Sequence, residues 1–399
     1  MSRILFIILV LILVKPVLFA KDIRIGVFRD YKIEHIEFAY HNGSYLIYGD
    51  TTQFDGILPN EFVSIQKTTN NKVEVKHGVK TIGFFDTLTL KPTGKDFALR
   101  LRPRKPKIKN RRYQGSFQVF VGDEGLTVVN EVKMTDYLAG VVESEGGGGK
   151  HLEYYKAQAV LSRTYALKHD YKHRAEGFNL CDRVHCQAYH NMLTYTDDIR
   201  KAVNQTDGIY AVDSSGNNLV NGYFHANCGG QTSPASYVWN TDISYLQPFK
   251  DTFCIHTKQA TWEKRISKVE WRKYLINNFH YPIQDSVYQS QIYNFKQPFR
   301  KAFYVSPHLG IPLRDIRRHF KLKSTFFDVE PDGDFVVLKG RGYGHGIGLC
   351  QEGAMNMAKN GLAYEVILKY YFSGLQLVNK YEKLFFNQKV MEIINYSSY

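Results

Sequence analysis

The sequence predicts an α+β protein, with a β-rich N-terminal lobe followed by a mixed α/β domain. Three observations carry that prediction. Short apolar runs with two-residue alternation, separated by turn residues, fill the chain up to residue 112. A helical period then takes over in "LEYYKAQAVLSRTYALKHDYKH", with apolar or small residues at Leu152, Tyr155, Ala159, Val160 and Leu167. Near the C-terminus a strand-like "FVVLK" and a helix-like "CQEGAMNMAKNG" flank a run with glycine at every second position from Gly340 to Gly348.

The elements follow in order. "MSR" and then "ILFIILVLILV" form a charged start and an apolar run too short to span a bilayer comfortably. Residues 1–20 therefore read as an export signal ending near Ala20. Lys15 and Leu18 depart from the signal-peptide pattern and keep an uncleaved anchor open. "IRIGVF", "YLIYG" and "VEVKHG" are strands of a β-rich lobe over 21–112. "SFQVFVG" and "GLTVVNEV" are paired strands that begin the second domain at 113. That domain runs to 380, and 381–399 is a C-terminal tail.

The chain of 399 residues is long enough for two lobes, and its composition, 44% hydrophobic and 14% aromatic, is globular. A formal charge of +14 favours anionic surroundings. For an exported chain, envelope polymers and membrane surface outrank nucleic acid. The basic residues concentrate in "RLRPRKPKIKNRR" (100–112), which contains no acid. It reads as a solvated linker between lobes, or as a site that docks on an anionic surface.

The glycine run "GRGYGHGIGLCQEGA" (340–354) sits between strand and helix, where a phosphate loop would sit. Its spacing excludes one. A dinucleotide fingerprint needs glycine at i, i+2 and i+5, and here the i+5 positions hold His345, Ile347, Leu349 and Gln351. No Gly-Lys-Ser/Thr follows either. Alternating glycines suit a place where another backbone comes very close, or a tight structural turn.

"DYLAGVVESEGGGGK" ends an apolar, strand-like segment in Glu143 and Glu145. A carboxyl at the edge of apolar packing is partly desolvated, which raises its pKa and suits it to general acid work. A solvated acidic loop is the alternative, and position separates the two glutamates only weakly. "CDRVHCQAYH" places Cys181, His185 and Cys186 within six residues, a spacing that allows two thiolates and an imidazole on one zinc. His173, His169, His190 or water could complete the tetrahedron. A Cys181–Cys186 disulfide competes in an oxidising compartment. Cys228 and Cys254 could form a second bridge, leaving Cys350 as a free thiol beside the glycine run.

"YLAGVVESE" followed by "EYYKAQAVLSRTYAL" resembles the signature of the SpoIID/LytB family, the stage II sporulation protein D group. "YFHANCGGQTSPASYVW" (223–239), "IPLRDIRRHFKLKSTFFDV" (311–329) and "GRGYGHGIGLCQEGA" with "YEVILKYYFSGLQL" resemble its later blocks, in the same order. The resemblance covers roughly 113–377 and matches the first 112 residues far less. It implies a SpoIID-type catalytic domain over 113–380 that acts on peptidoglycan. Members are lytic transglycosylases, which cut between N-acetylmuramic acid and N-acetylglucosamine in glycan stripped of stem peptides, or non-catalytic relatives that enhance amidases.

The family's acid stands in a VVxxE motif, which makes it Glu145 here. Members often carry Met-Pro next, where this chain has "GGGGK", so the loop beside the acid is expected to be more mobile. The resemblance places the glycine run beside that acid. Gly344 and Gly346 would let sugar approach, and His345 and Gln351 would bond glycan or hold Glu145. Arg163, Thr164 and Ser324 are further candidates for the groove; for all five side chains an internal hydrogen bond is the alternative. The segment holding Cys181, His185 and Cys186 resembles a zinc-bearing loop of some members, and a zinc there would order a loop, since lytic cleavage needs no activated water. A partner amidase belongs to the enhancer reading. A zinc hydrolase is disfavoured, because no general base stands beside the Cys/His cluster.

Overall fold

In the computed structural model residues 22–380 are described; the signal or anchor expected at 1–20 and the tail at 381–399 lie outside the described residues. Eleven strands make one large sheet: β1 (Asp22–Val27), β2 (His35–Gly49), β3 (Thr52–Ile57), β4 (Phe62–Lys67), β5 (Val73–His77), β6 (Lys80–Phe85), β7 (Thr87–Lys105), β8 (Arg111–Tyr113), β9 (Ser116–Val121), β10 (Leu126–Lys133) and β11 (Leu180–Cys181). Its order is β11-β1-β10-β9-β7-β2-β4-β5-β6, with β3 on β2 and β8 on β7. The alternation read from the sequence sets the faces. In β9, for example, Phe117 and Val119 are buried while their neighbours are not.

Strands from both sides of residue 112 share this sheet. β1 pairs antiparallel with β10, and β7 with β9. The basic segment 100–112 is therefore no linker. It forms the end of β7, a turn and β8, and much of its charge is matched. Arg104 Nη2 lies 2.6 Å from Glu37, Lys105 Nζ lies 2.6 Å from Glu34, and buried Arg111 pairs with Asp182.

The second correction concerns the glutamates. Their segment is not a strand but helix α1 (Met134–Gly146), with Tyr137, Leu138, Val141 and Val142 buried at helical spacing. α2 (Leu152–Lys168) is the predicted long helix. Nearly every residue from Tyr154 to Ala166 is buried, so α2 is wrapped on all sides. α3 (Asp197–Gln205) packs on both helices. β12 (Ile209–Val212) pairs with β18 (Gln376–Asn379), and β13 (Phe224–His225) runs parallel to β17 (Leu349–Cys350). The one-turn α4 (Ser236–Trp239) follows β13.

Residues 261–341 build a second core around Trp271, Tyr304 and Leu338. This module has β14 (Thr261–Ser267), α5 (Lys268–Phe279), α6 (Ser286–Gln291), α7 (Leu313–His319), β15 (Phe327–Asp332) and β16 (Phe335–Arg341), with sheet order β14-β16-β15. The chain then returns to the first core through β17, α8 (Gln351–Lys359) and α9 (Tyr364–Tyr371). The strand "FVVLK" and the helix that opens at Gln351 are as predicted.

Candidate active site

A cleft of about 1160 Å³ opens where α1, the loop after β11, β13 and the glycine run meet. Glu145, Gly344, His345 and Gln351 line it together, as does the Cys186 end of the cysteine loop.

Helix geometry separates the two glutamates. Residues two apart on a helix point about 200° apart, so one acid turns into the cleft and the other away. Glu143 accepts backbone hydrogen bonds from Thr194 N–H (2.8 Å) and Tyr195 N–H (2.9 Å), and it does not line the cleft. Glu145 does. Its Oε1 accepts one bond, from Ala188 N–H at 2.7 Å. Burial pushes its carboxyl above the usual range, and the Ala188 amide only partly opposes that. Glu145 thus sits where a carboxyl can hold its proton. The cleft's other acid, Glu352, is committed elsewhere: its Oε2 accepts from Asn227 Nδ2 (2.7 Å) and Thr257 Oγ1 (2.5 Å).

The Ala188 amide is delivered by the cysteine loop. His173 Nε2 is 3.4 Å from Cys186 Sγ, and His185 Nδ1 is 3.8 Å from both Cys181 Sγ and Cys186 Sγ. All four ligand atoms lie within 4.8 Å of one another. Of the three histidines predicted as candidates for the fourth place, His173 fills it. Two thiols and two imidazoles are the donor set of a closed tetrahedral zinc site. The outer shell fits as well, because Glu176 Oε1 holds His173 Nδ1 at 2.6 Å and Arg29 holds Glu176. The loop is anchored to the large sheet by β11, which pairs with β1, and by Asp182, which accepts from Phe28 N–H and from Arg111.

The opposite wall explains the glycines. The glycine run lies against β13 and the loop after it, not against α1. An added Cβ at Gly348 would stand 2.1 Å from Tyr223 O, and one at Gly344 would stand 2.8 Å from His225 Cβ; both glycines have positive φ. Gly346 faces the guanidinium of Arg300 instead. The close neighbour is this chain's own backbone and side chains.

His345 is used mainly within the protein. Its Nδ1 accepts from Ile347 N–H at 3.0 Å, and burial with nearby Arg317 lowers its pKa to about 4, so it is neutral at pH 7. Its ring joins Tyr223, His225 and Trp239 in an aromatic wall, with Trp239 41% exposed. Gln351 Nε2 reaches Gln158 Oε1 at 3.4 Å and Glu145 O at 3.5 Å, so it touches the acid's backbone.

Arg163, Thr164 and Ser324 are not brought to the cleft. Arg163 donates to the carbonyls of Ile209 and Val203, and Thr164 donates to Val160 O while accepting from Ala211 N–H. Ser324 accepts from Trp262 Nε1 and donates to Arg341 O. Each holds the scaffold.

The residue that sequence reasoning missed is His225. Its Nδ1 donates to Ile347 O at 3.1 Å, and its Nε2 is buried in the cleft wall with no partner. Burial holds it well below the ordinary histidine range, so Nε2 is a bare acceptor. The signal was a histidine within the block "YFHANCGG". No helix among the described residues is long and apolar enough to cross a membrane.

The cleft of this α+β protein holds Glu145, whose carboxyl is shifted up by burial, and an aromatic wall that includes His345 and Trp239. The family model described as "Stage II sporulation protein" matches residues 122–212, which run from β10 through the helices and cysteine loop to β12. An uncharacterised protein of Brachyspira hyodysenteriae is 29% identical over 272 residues, 67% of this chain and 72% of that protein. The stage II sporulation protein D of Bacillus subtilis is 27% identical over 274 residues, 63% of this chain and 78% of its own length. A B. subtilis protein named amidase enhancer is 25% identical over 296 residues, 61% of this chain and 40% of its own. Together the family model and these relatives support the SpoIID/LytB family for this chain.

Proposed function

We propose that this protein is an exported lytic transglycosylase that cleaves the bond between N-acetylmuramic acid and N-acetylglucosamine in peptidoglycan glycan. The observation that carries the reading is Glu145, a lone uncommitted carboxyl held in the cleft with its pKa raised by burial. Ordinary glycosidases need two carboxyl groups across the scissile bond. Here one serves twice. Glu145 gives its proton to the glycosidic oxygen, and the C1–O bond breaks. The resulting carboxylate takes the proton of the muramic acid C6 hydroxyl, whose oxygen attacks C1 and closes a 1,6-anhydro ring. No water is consumed, and Glu145 ends as it began.

Other residues bind and orient. Trp239 and its aromatic neighbours offer faces for pyranose rings. His225 ties the aromatic wall to Ile347 O, and Gln351 steadies the end of α1. Lys150, Lys172 and Arg317 line the cleft and suit the muramic lactyl carboxylate, which is free only after the stem peptide is removed. That charge supports a preference for denuded glycan. His173, Cys181, His185 and Cys186 would hold a zinc, which supplies order to the loop that places the Ala188 amide on Glu145. The charged-then-apolar residues 1–20 support a site of action in the periplasm, envelope or outside the cell.

The relative named amidase enhancer supports a second reading, a non-catalytic glycan-binding partner of a cell-wall amidase. One experiment separates them. Purified full-length protein is incubated with glycan strands, with and without stem peptides, and the products are weighed by mass spectrometry. New 1,6-anhydro-muramic ends are expected from denuded strands. Reducing ends would make it a hydrolase, and intact strands together with stimulation of an added amidase would favour the enhancer.

A further inference from the structure

Cys228, Cys254 and Cys350 are far apart in the chain, yet they converge beneath the aromatic wall of the cleft. Their sulfurs and the carboxylate of Asp251 all lie within 4.8 Å of one another, and all four residues are fully buried. Cys228 Sγ is 3.2 Å from Cys254 Sγ and 3.3 Å from Asp251 Oδ2, while Cys228 N–H donates to Cys350 Sγ at 3.3 Å. All five cysteines of the chain are free thiols. Cys350, expected alone beside the groove, thus has two thiol neighbours.

Asp251 is the feature that needs an explanation. Its oxygens accept from Phe253 N–H and Tyr371 O–H, both at 2.9 Å, and no salt bridge reaches it among the described residues. The buried guanidinium nearby, Arg300, is held by the carbonyls of Gln231 and Cys228. A buried carboxylate without a cation is costly, and three thiolates beside it would be held together only by a cation that joins them.

We propose that Cys228, Asp251, Cys254 and Cys350 form a second, closed zinc site. Three thiolates and one carboxylate suit a tetrahedral divalent ion with no open position. A Zn–S bond of about 2.3 Å implies a ligand-to-ligand edge of about 3.8 Å, and the observed spacings bracket that edge. Arg300 beside Cys228 supplies part of the compensating positive charge. The site is structural, and it adds a metal tie to three segments that backbone hydrogen bonds already bring together, with β13 paired to β17 and Asp251 N–H donating to Gly230 O. Cys228 closes the loop after β13, three residues from His225. Asp251 and Cys254 fix the turn before the second core. Cys350 stands immediately before Gln351. The ion would lock the aromatic wall as the first cluster locks the Ala188 loop.

Elemental analysis and native mass spectrometry of the full chain, purified without chelators, test this. Two zinc ions per chain are expected. The Cys181→Ser/Cys186→Ser variant should keep the ion assigned here, and Cys254→Ser or Cys350→Ser should lose it. If those variants fail to fold, metal-depleted wild type titrated with Co²⁺ replaces them, and thiolate-to-cobalt charge transfer saturating at two equivalents supports the site. A Cys228–Cys254 disulfide in the peptide map of the unreduced protein overturns it. So does zinc or cobalt stoichiometry of one that disappears with Cys181 and Cys186.

Discussion

On one wall of the cleft, α1 and the loop from Cys181 to Tyr195 present side chains and amides to each other. Glu145 meets Ala188 N–H and Glu143 meets Thr194 and Tyr195 N–H, while Asp182 of the loop meets Arg111 of β8. On the other wall, β13 and the glycine run cross with backbone against backbone, and the side chains that remain form an aromatic surface. The first wall is specified by polar partners and tolerates no unmatched charge. The second is specified by the absence of Cβ atoms and tolerates no added volume. The proposed acid stands on the first wall and the close backbone crossing on the second, and substitutions should respect that division.

The largest effect is expected at Glu145. Glu145→Gln keeps the shape but has no proton to give, so anhydro-end formation should fall by at least ~10²–10⁴-fold while the circular-dichroism spectrum shows the fold intact. Glu143→Gln is its control. It should keep most of the activity and lower stability by about 1 kcal/mol, through weaker bonds to the Thr194 and Tyr195 amides. Loss of activity at Glu143 with full activity in Glu145→Gln would reverse the assignment of the acid.

Next in size is the anchor of the cysteine loop. Arg111→Met leaves Asp182 buried without its cation, and denaturant unfolding should show a loss of about 3–5 kcal/mol. A change below 1 kcal/mol would mean that segment 100–112 carries its charge for solvent after all.

The second wall is tested by a single methyl group. Gly348→Ala places Cβ against Tyr223 O at a positive-φ site, so stability should drop by well over ~1 kcal/mol. Activity should fall in step with the folded fraction. Gly361, also at positive φ but facing open space, gives the backbone strain alone in Gly361→Ala. Equal losses at the two sites would show that close approach is not the point.

The smallest effect is a slope. Glu145 has a folded pKa above its unfolded value, so the native state binds that proton more tightly. Its contribution to stability is therefore present at low pH and fades as pH rises from the unfolded carboxyl value through the raised folded one. Denaturant midpoints across that window should fall less steeply in Glu145→Gln than in wild type. Anhydro-end formation should decline over the same rise in pH, since the proposed acid must start protonated.

How much of this was legible in the chain varies by element. Periodicity located β9, β10, α2, β16 and α8, because each buries one face or is wrapped entirely, and burial writes its period into the residues. It misread "DYLAGVVESE" as a strand, since a short apolar run carries no decisive period. The same ambiguity hid which glutamate faces the cleft: a 100° step per residue turns Glu143 and Glu145 apart, whereas strand pleating would put them on one side. The glycine run announced a close approach but not its partner. Arg163, Thr164 and Ser324 lay near the right motifs yet serve the scaffold, because sequence proximity does not say which carbonyls need a donor.

By itself, then, the sequence determined the α+β class, the family, Glu145 as one of two candidate acids and the tight Cys181–His185–Cys186 cluster. The family rests on blocks that resemble its members; the others rest on local spacing, which survives without knowledge of the fold. Only the tertiary structure decided that residues on both sides of 112 share one sheet, that His173 completes the first cluster, and that His225 lies in the cleft wall with a buried, unpartnered nitrogen. It alone gathered Cys228, Asp251, Cys254 and Cys350. Each of those depends on segments distant in the chain meeting in space, as Ile25 of β1 meets Leu180 of β11, and the burial that brings them together is a property of the whole core.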